Sequence, residues 1–75
     1  MYKIMGVIRN RKNGHVYMKL KFLMPNGSAS FTELIHNGDI TYGTIVSTMV
    51  AIFGVNPDDL EVSQNILDQL PIIGV

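Results

Sequence analysis

The stretch RNRKNGHVYMKLKFLM, Arg9 to Met24, decides how the chain folds. From His15 onward its apolar residues take every second position: Val16, Met18, Leu20, Phe22 and Met24 alternate with His15, Tyr17, Lys19, Lys21 and Leu23. Successive side chains of a strand point to opposite faces, so this alternation predicts a strand over 15–24 with one buried and one lysine-bearing face. Asn13-Gly14 in front of it suits the positive φ values of a two-residue hairpin turn. YKIMGVIRN, residues 2–10, is then the partner strand.

The hairpin register has two readings. A strict two-residue turn pairs Val7 with Leu20 and Met5 with Phe22; it sets Arg9 on the core face opposite Met18 and leaves Ile4, Gly6 and Ile8 outside. A slip of one residue exchanges the faces, putting Ile4 and Ile8 inside and Lys3, Met5, Val7 and Arg9 outside. In both, the outer face mixes lysines with large apolar residues. That is the composition of a protein interface with an apolar centre and a charged rim.

Working outward, Pro25-Asn26-Gly27 ends the second strand, and SASFTELI predicts a third over 28–35. Beyond His36-Asn37-Gly38-Asp39 the period changes. Ile45, Val46, Met49, Val50, Ile52 and Phe53 form one stripe, with Thr44, Ser47, Thr48 and Ala51 opposite, which predicts an amphipathic helix over 41–53. Gly54 supplies its left-handed cap. Asn56, Pro57, Asp58 and Asp59 are helix-start residues, and they predict a second helix over 57–69 with Leu60, Leu67 and Leu70 as its stripe. The same residues also admit a short helix ending near Val62 and another capped by Ser63. The expected fold is α+β, one domain over 1–75: a three-stranded antiparallel meander followed by one or two C-terminal helices packed on one sheet face (βββαα).

The segment MVAIFGVNPDDLEVSQNILDQL, residues 49–70, resembles the end of the first helix and the following loop of acyl carrier proteins. Such a resemblance implies a serine that carries a phosphopantetheine arm, directly after the matching segment. Here Pro71-Ile72-Ile73-Gly74 follows instead, and a basic hairpin stands where carriers begin with an acidic helix. Carrier function is excluded on those residues.

Composition bounds the rest. Of 75 residues, 47% are hydrophobic and 16% charged, against a usual charged share of about 25%. A domain this small buries only roughly 60% of its unfolded surface, so self-association or burial against a partner is expected. There is no cysteine to form a disulfide or thiolate site, and the apolar segment 45–55 is too short to span a bilayer. MYKIMGVIRN has no long apolar core and no cleavage-site pattern, so the expected location is cytoplasmic. The formal charge is zero but segregated. All six basic residues lie between Lys3 and Lys21, and all six acidic ones between Glu33 and Asp68.

Candidate chemistry is sparse. Glu33, His36 and Asp39 form the one His–carboxylate cluster, and three donors across a turn do not make a metal site. Asp58, Asp59 and Glu61 are explained by helix capping. Neither GxGxxG nor GxxxxGK[ST] occurs. No catalytic residue, metal or cofactor is expected. The expected function is a non-enzymatic protein-interaction module, serving as adaptor, assembly subunit or small inhibitor of a kind that phages and other mobile elements carry. Its contact residues would be Arg9, Arg11, Lys12, Tyr17, Lys19 and Lys21 on the basic hairpin. They would meet an acidic protein surface or another copy of the chain, without involving a membrane. The alternative is a nucleic-acid-binding module using the same face, with lysines on phosphates and Tyr17 stacked on a base.

Overall fold

The computed structural model describes residues 1–74. In chain order they form β1 (Tyr2–Lys12), β2 (His15–Leu23), β3 (Ala29–Ile35), α1 (Tyr42–Phe53), a 3₁₀ turn (Pro57–Asp59), β4 (Leu60–Val62) and α2 (Gln64–Leu67). The strands make one sheet in the order β3-β2-β1-β4, antiparallel except that β4 runs parallel to β1. The three-strand meander is therefore present, but it is completed by a fourth strand.

The hairpin turns where Asn13-Gly14 predicts, with φ of 52° and 76°. Its register combines both readings. From the turn to Gly6 the strict pairing holds: Arg9 faces Met18, Val7 faces Leu20, and Gly6 faces Lys21. Between Gly6 and Ile4 the register shifts, so that Ile4 rather than Met5 faces Phe22. Met5 is the extra residue of a β-bulge, which returns the rest of the strand to the slipped register. The buried face of β1 accordingly includes both Ile4, fully buried, and Val7, partly buried against the core.

α1 begins one residue later than the sequence predicts. Thr41 is its N-cap, and a reciprocal pair joins it to Thr44: Thr44 N–H donates to Thr41 Oγ1 at 3.2 Å, and Thr41 N–H to Thr44 Oγ1 at 3.1 Å. Gly54 closes it at φ 64°, donating its N–H to Val50 O, and Val55 N–H reaches Met49 O. The buried stripe is rotated from the expected one. Ile45, Thr48 and Met49 are buried, while Val50 and Ile52 are exposed. Thr48 enters the core because its hydroxyl is satisfied within the helix, donating to Thr44 O at 2.8 Å.

The expected second helix over 57–69 does not form as such. Asn56 caps a single 3₁₀ turn, accepting from Asp58 N–H at 2.9 Å. Leu60-Glu61-Val62 then alternates buried, exposed, buried, and pairs with Tyr2, Lys3 and Ile4. Burial of Leu60 and Val62 against β1 outweighs the local helix signal. Helix resumes over four residues after Ser63, with Ile66 buried and Leu67 exposed. The tail docks by an antiparallel bridge between Ile40 and Ile72. Gly74 closes it, donating to Asp39 Oδ1 at 2.7 Å; a Cβ there would lie 2.6 Å from Asn37 O, so only glycine fits without a shift. Val75 lies outside the described residues.

The core sits between one sheet face and α1 with the segments after it. Ile4, Met18, Leu20 and Phe22 come from the sheet, Ile45 and Met49 from α1, and Ile40, Val55, Leu60, Val62 and Ile66 complete it. Phe53 meets Phe22 edge-on at 5.1 Å between ring centroids.

The bulge yields a sharp expectation. Deleting Met5 would leave Ile4, Gly6 and Val7 with their present partners in an unbroken ladder. Its cost in urea denaturation should stay within roughly 1 kcal/mol. Deleting Val7 instead also keeps Ile4 opposite Phe22 but sets Gly6 in the place of Val7 opposite Leu20, and should cost about 1–3 kcal/mol, the loss of a partly buried aliphatic side chain.

Candidate functional site

Alternation along the strands builds a second face, opposite the core. On β2 it carries His15, Tyr17, Lys19, Lys21 and Leu23. Their neighbours on β3 are Ile35 beside Tyr17, Glu33 beside Lys19, Phe31 beside Lys21 and Ala29 beside Leu23. On β1 the bulge presents both Met5 and Gly6, followed by Ile8, Asn10 and Lys12, with Lys3 beyond. Gly6 leaves space over which Lys21 lies: a Cβ there would be 3.7 Å from Lys21 Cβ. No helix among the described residues covers this face. Phe31 is 59% exposed, Ile35 56%, Met5 45% and Ile8 39%.

At one end of the face, Met5, Lys21, Leu23 and Phe31 border an open groove of about 340 Å³ with an almost wholly apolar lining. Lys19 Nζ sits 4.3 Å over the Phe31 ring, and Lys12 Nζ 4.9 Å over that of Tyr17. Such contacts hold the ammonium groups against aromatic faces while leaving them wet. Lys12 also pairs with Glu33 at 2.6 Å, and Asn10 Nδ2 donates to the same carboxylate at 3.4 Å. Lys3 and Lys21 have no carboxylate within ion-pair distance among the described residues.

The six sequence-selected residues therefore divide. Tyr17, Lys19 and Lys21 lie together on the open face, and Lys12 stands at its tip, engaged with Glu33. Arg9 and Arg11 point to the other side, because the strict register near the turn sets them opposite Met18 and Val16. Arg9 is a clamp within the fold. Its Nη1 donates to His36 O at 2.7 Å and its Nη2 to Gly38 O at 2.5 Å, fixing the loop between β3 and α1. Arg11 remains exposed at the hairpin tip. Sequence reasoning missed Phe31 and Ile35, because Phe31-Thr-Glu-Leu-Ile35 does not alternate as β2 does and so does not mark the face they take.

The Glu33–His36–Asp39 cluster disperses. Glu33 belongs to the open face, His36 Nε2 lies 3.1 Å from Asp39 O, and the Asp39 carboxylate accepts from Gly74. No group of three or more His, Asp and Glu side chains converges among the described residues. No helix there is long and apolar enough to cross a membrane.

Two titrations are displaced by one contact. The hydrogen bond from Lys12 holds the Glu33 carboxyl below its usual range, and Glu33 in turn raises Lys12. Glu33 is then more acidic folded than unfolded, so its contribution is present above the usual carboxylate range and is lost as pH falls through the lowered value. Lys12 contributes below its usual range and ceases to as pH rises through the raised value. Glu33→Gln should flatten the acid limb of stability against pH, measured by thermal unfolding. Arg9→Ala should cost roughly 1.5–3 kcal/mol, as for hydrogen bonds from a charged donor, whereas Arg11→Ala should stay within about 0.5 kcal/mol. No family model, no curated protein and no solved structure matches this chain.

Proposed function

We propose that the protein is a non-catalytic protein-interaction module whose open sheet face receives an acidic segment of a partner protein, anchored by one apolar side chain. The observation that carries this reading is the juxtaposition of Phe31 and Met5, both exposed, with Lys21 around an apolar groove. An apolar side chain in that groove would be desolvated, and a carboxylate beside it would find Lys21 and Lys3. Interfaces draw their affinity from such buried anchors and their orientation from the charged rim. Four lysines against two glutamates, Glu33 and Glu61, give the face a positive balance, although the whole chain is neutral. A module of this kind suits an adaptor, an assembly subunit or a small inhibitor working in the cytoplasm.

A second reading has its own support. Phe31 and Tyr17 are aromatic rings flanked by Lys12, Lys19 and Lys21 on one sheet face, an arrangement that stacks bases and meets phosphates. Glu33 and Glu61 on the same face oppose it.

Fluorescence anisotropy separates the two. Across acidic peptides with an internal aromatic residue, wild-type protein should bind with a modest salt dependence. Lys21→Glu combined with Phe31→Ser should weaken binding by at least about tenfold, the loss of one anchor and one ion pair, with the far-ultraviolet circular dichroism unchanged. Arg11→Glu should leave binding as it is. Binding to single-stranded oligonucleotides alone, falling steeply as salt rises, would replace this reading with the second.

A further inference from the structure

The two edges of the sheet are guarded unequally. β4 covers β1 only from Tyr2 to Ile4, and that ladder ends where Ser63 N–H meets Ile4 O at 3.1 Å. The rest of that edge is bulged at Met5 and carries Arg9, Arg11 and Lys12. Local twist and charge are the devices that keep an edge from adding another strand. β3 has neither a bulge nor a proline, and Glu33 is its only charged residue.

The polarity of the β3 edge follows from two hydrogen bonds. His36 N–H donates to Val16 O at 2.9 Å, and Met24 N–H to Ser28 O at 2.8 Å. Main-chain groups of successive strand residues point alternately to either side. Ser30, Thr32 and Leu34 therefore turn theirs to β2, while Ala29, Phe31, Glu33 and Ile35 present N–H and C=O to the free edge.

We propose that this edge pairs with β3 of a second copy, antiparallel about a two-fold axis at Thr32, joining two sheets into one. An axis at Glu33 would set two like charges directly opposite, which is unfavourable. An axis at Phe31 would leave Glu33 as the last matched residue and Ile35 without a strand partner. The axis at Thr32 pairs Ala29 with Ile35, Ser30 with Leu34 and Phe31 with Glu33. It engages every residue of β3, and all four outward-facing residues meet as reciprocally hydrogen-bonded pairs. That self-complementarity favours a second copy over a foreign strand. The pairing sets Phe31 of each copy beside Glu33 of the other around the axis, with Ile35 beside Ala29 at either end and Lys19 and Lys21 of each copy flanking the joined strands. The edge uses main-chain groups and the proposed partner site uses the side chains of the face, so either can fail without the other.

Light scattering after size exclusion and amide hydrogen exchange by NMR test the pairing together, from micromolar to millimolar protein. The mass should double with concentration. The amides of Ala29, Phe31, Glu33 and Ile35 should exchange about tenfold more slowly in the concentrated sample, while Thr32 and Leu34 are protected in both. Phe31→Pro removes an edge donor without touching the ladder to β2, and should hold the protein monomeric. A monomeric mass throughout would overturn the proposal. So would a dimer in which those four amides exchange freely, because the copies would then meet elsewhere.

Discussion

The bulge at Met5 is the constraint on which the rest of the structure depends. β1 must bury Ile4 at one end, where it pairs with β2 on one side and β4 on the other, and Val7 nearer the turn. These two positions have opposite parity and could not share a face in a regular strand. One extra residue resolves the conflict by changing the register within the strand. It also lets the strict register stand near the turn, which sets the arginines of the tip on the core side, while returning Lys3 to the outer face with the other lysines.

That division separates two kinds of positive charge. Arg9 is spent inside the molecule, where its planar fork spans two carbonyls of the His36–Gly38 loop. Gly74 meets the same loop from the tail through Asp39. The lysines instead lie along the open face, their stems on apolar and aromatic neighbours and their ammonium groups in water. One sheet thus has a face committed to the core and a face whose apolar residues Met5, Ile8, Phe31 and Ile35 are exposed.

Much of this was legible from local pattern. Alternation from Val16 to Phe22 gave the correct buried side of β2, Asn13-Gly14 the turn, and Gly54 the end of α1. What could not be read depended on distant partners. Leu60-Glu61-Val62 is too short to stand out against the capping residues before it, and it becomes a strand only because Tyr2–Ile4 offers an edge. The bulge was hidden because each half of β1 satisfies a different register. Arg9 looked like a contact residue since its carbonyl partners lie 27 and 29 positions away. On the candidate face the hairpin's lysines were visible in the sequence. The part of β3 was not, because Phe31 and Ile35 gain meaning only when set beside Lys21 and Tyr17.

The parallel pairing of β1 with β4 has a consequence for how the chain reaches this state. Tyr2 must find Leu60 across most of the sequence, so the β4 edge of the sheet closes only after the longest loop has been ordered. Contacts of that span slow folding, since the entropy of loop closure precedes the gain from pairing. On a ribosome the meander would emerge first, with Met18, Leu20 and Phe22 uncovered until α1 and β4 follow. For that interval the inner face, rather than the lysine-bearing one, is the surface most exposed to unwanted association.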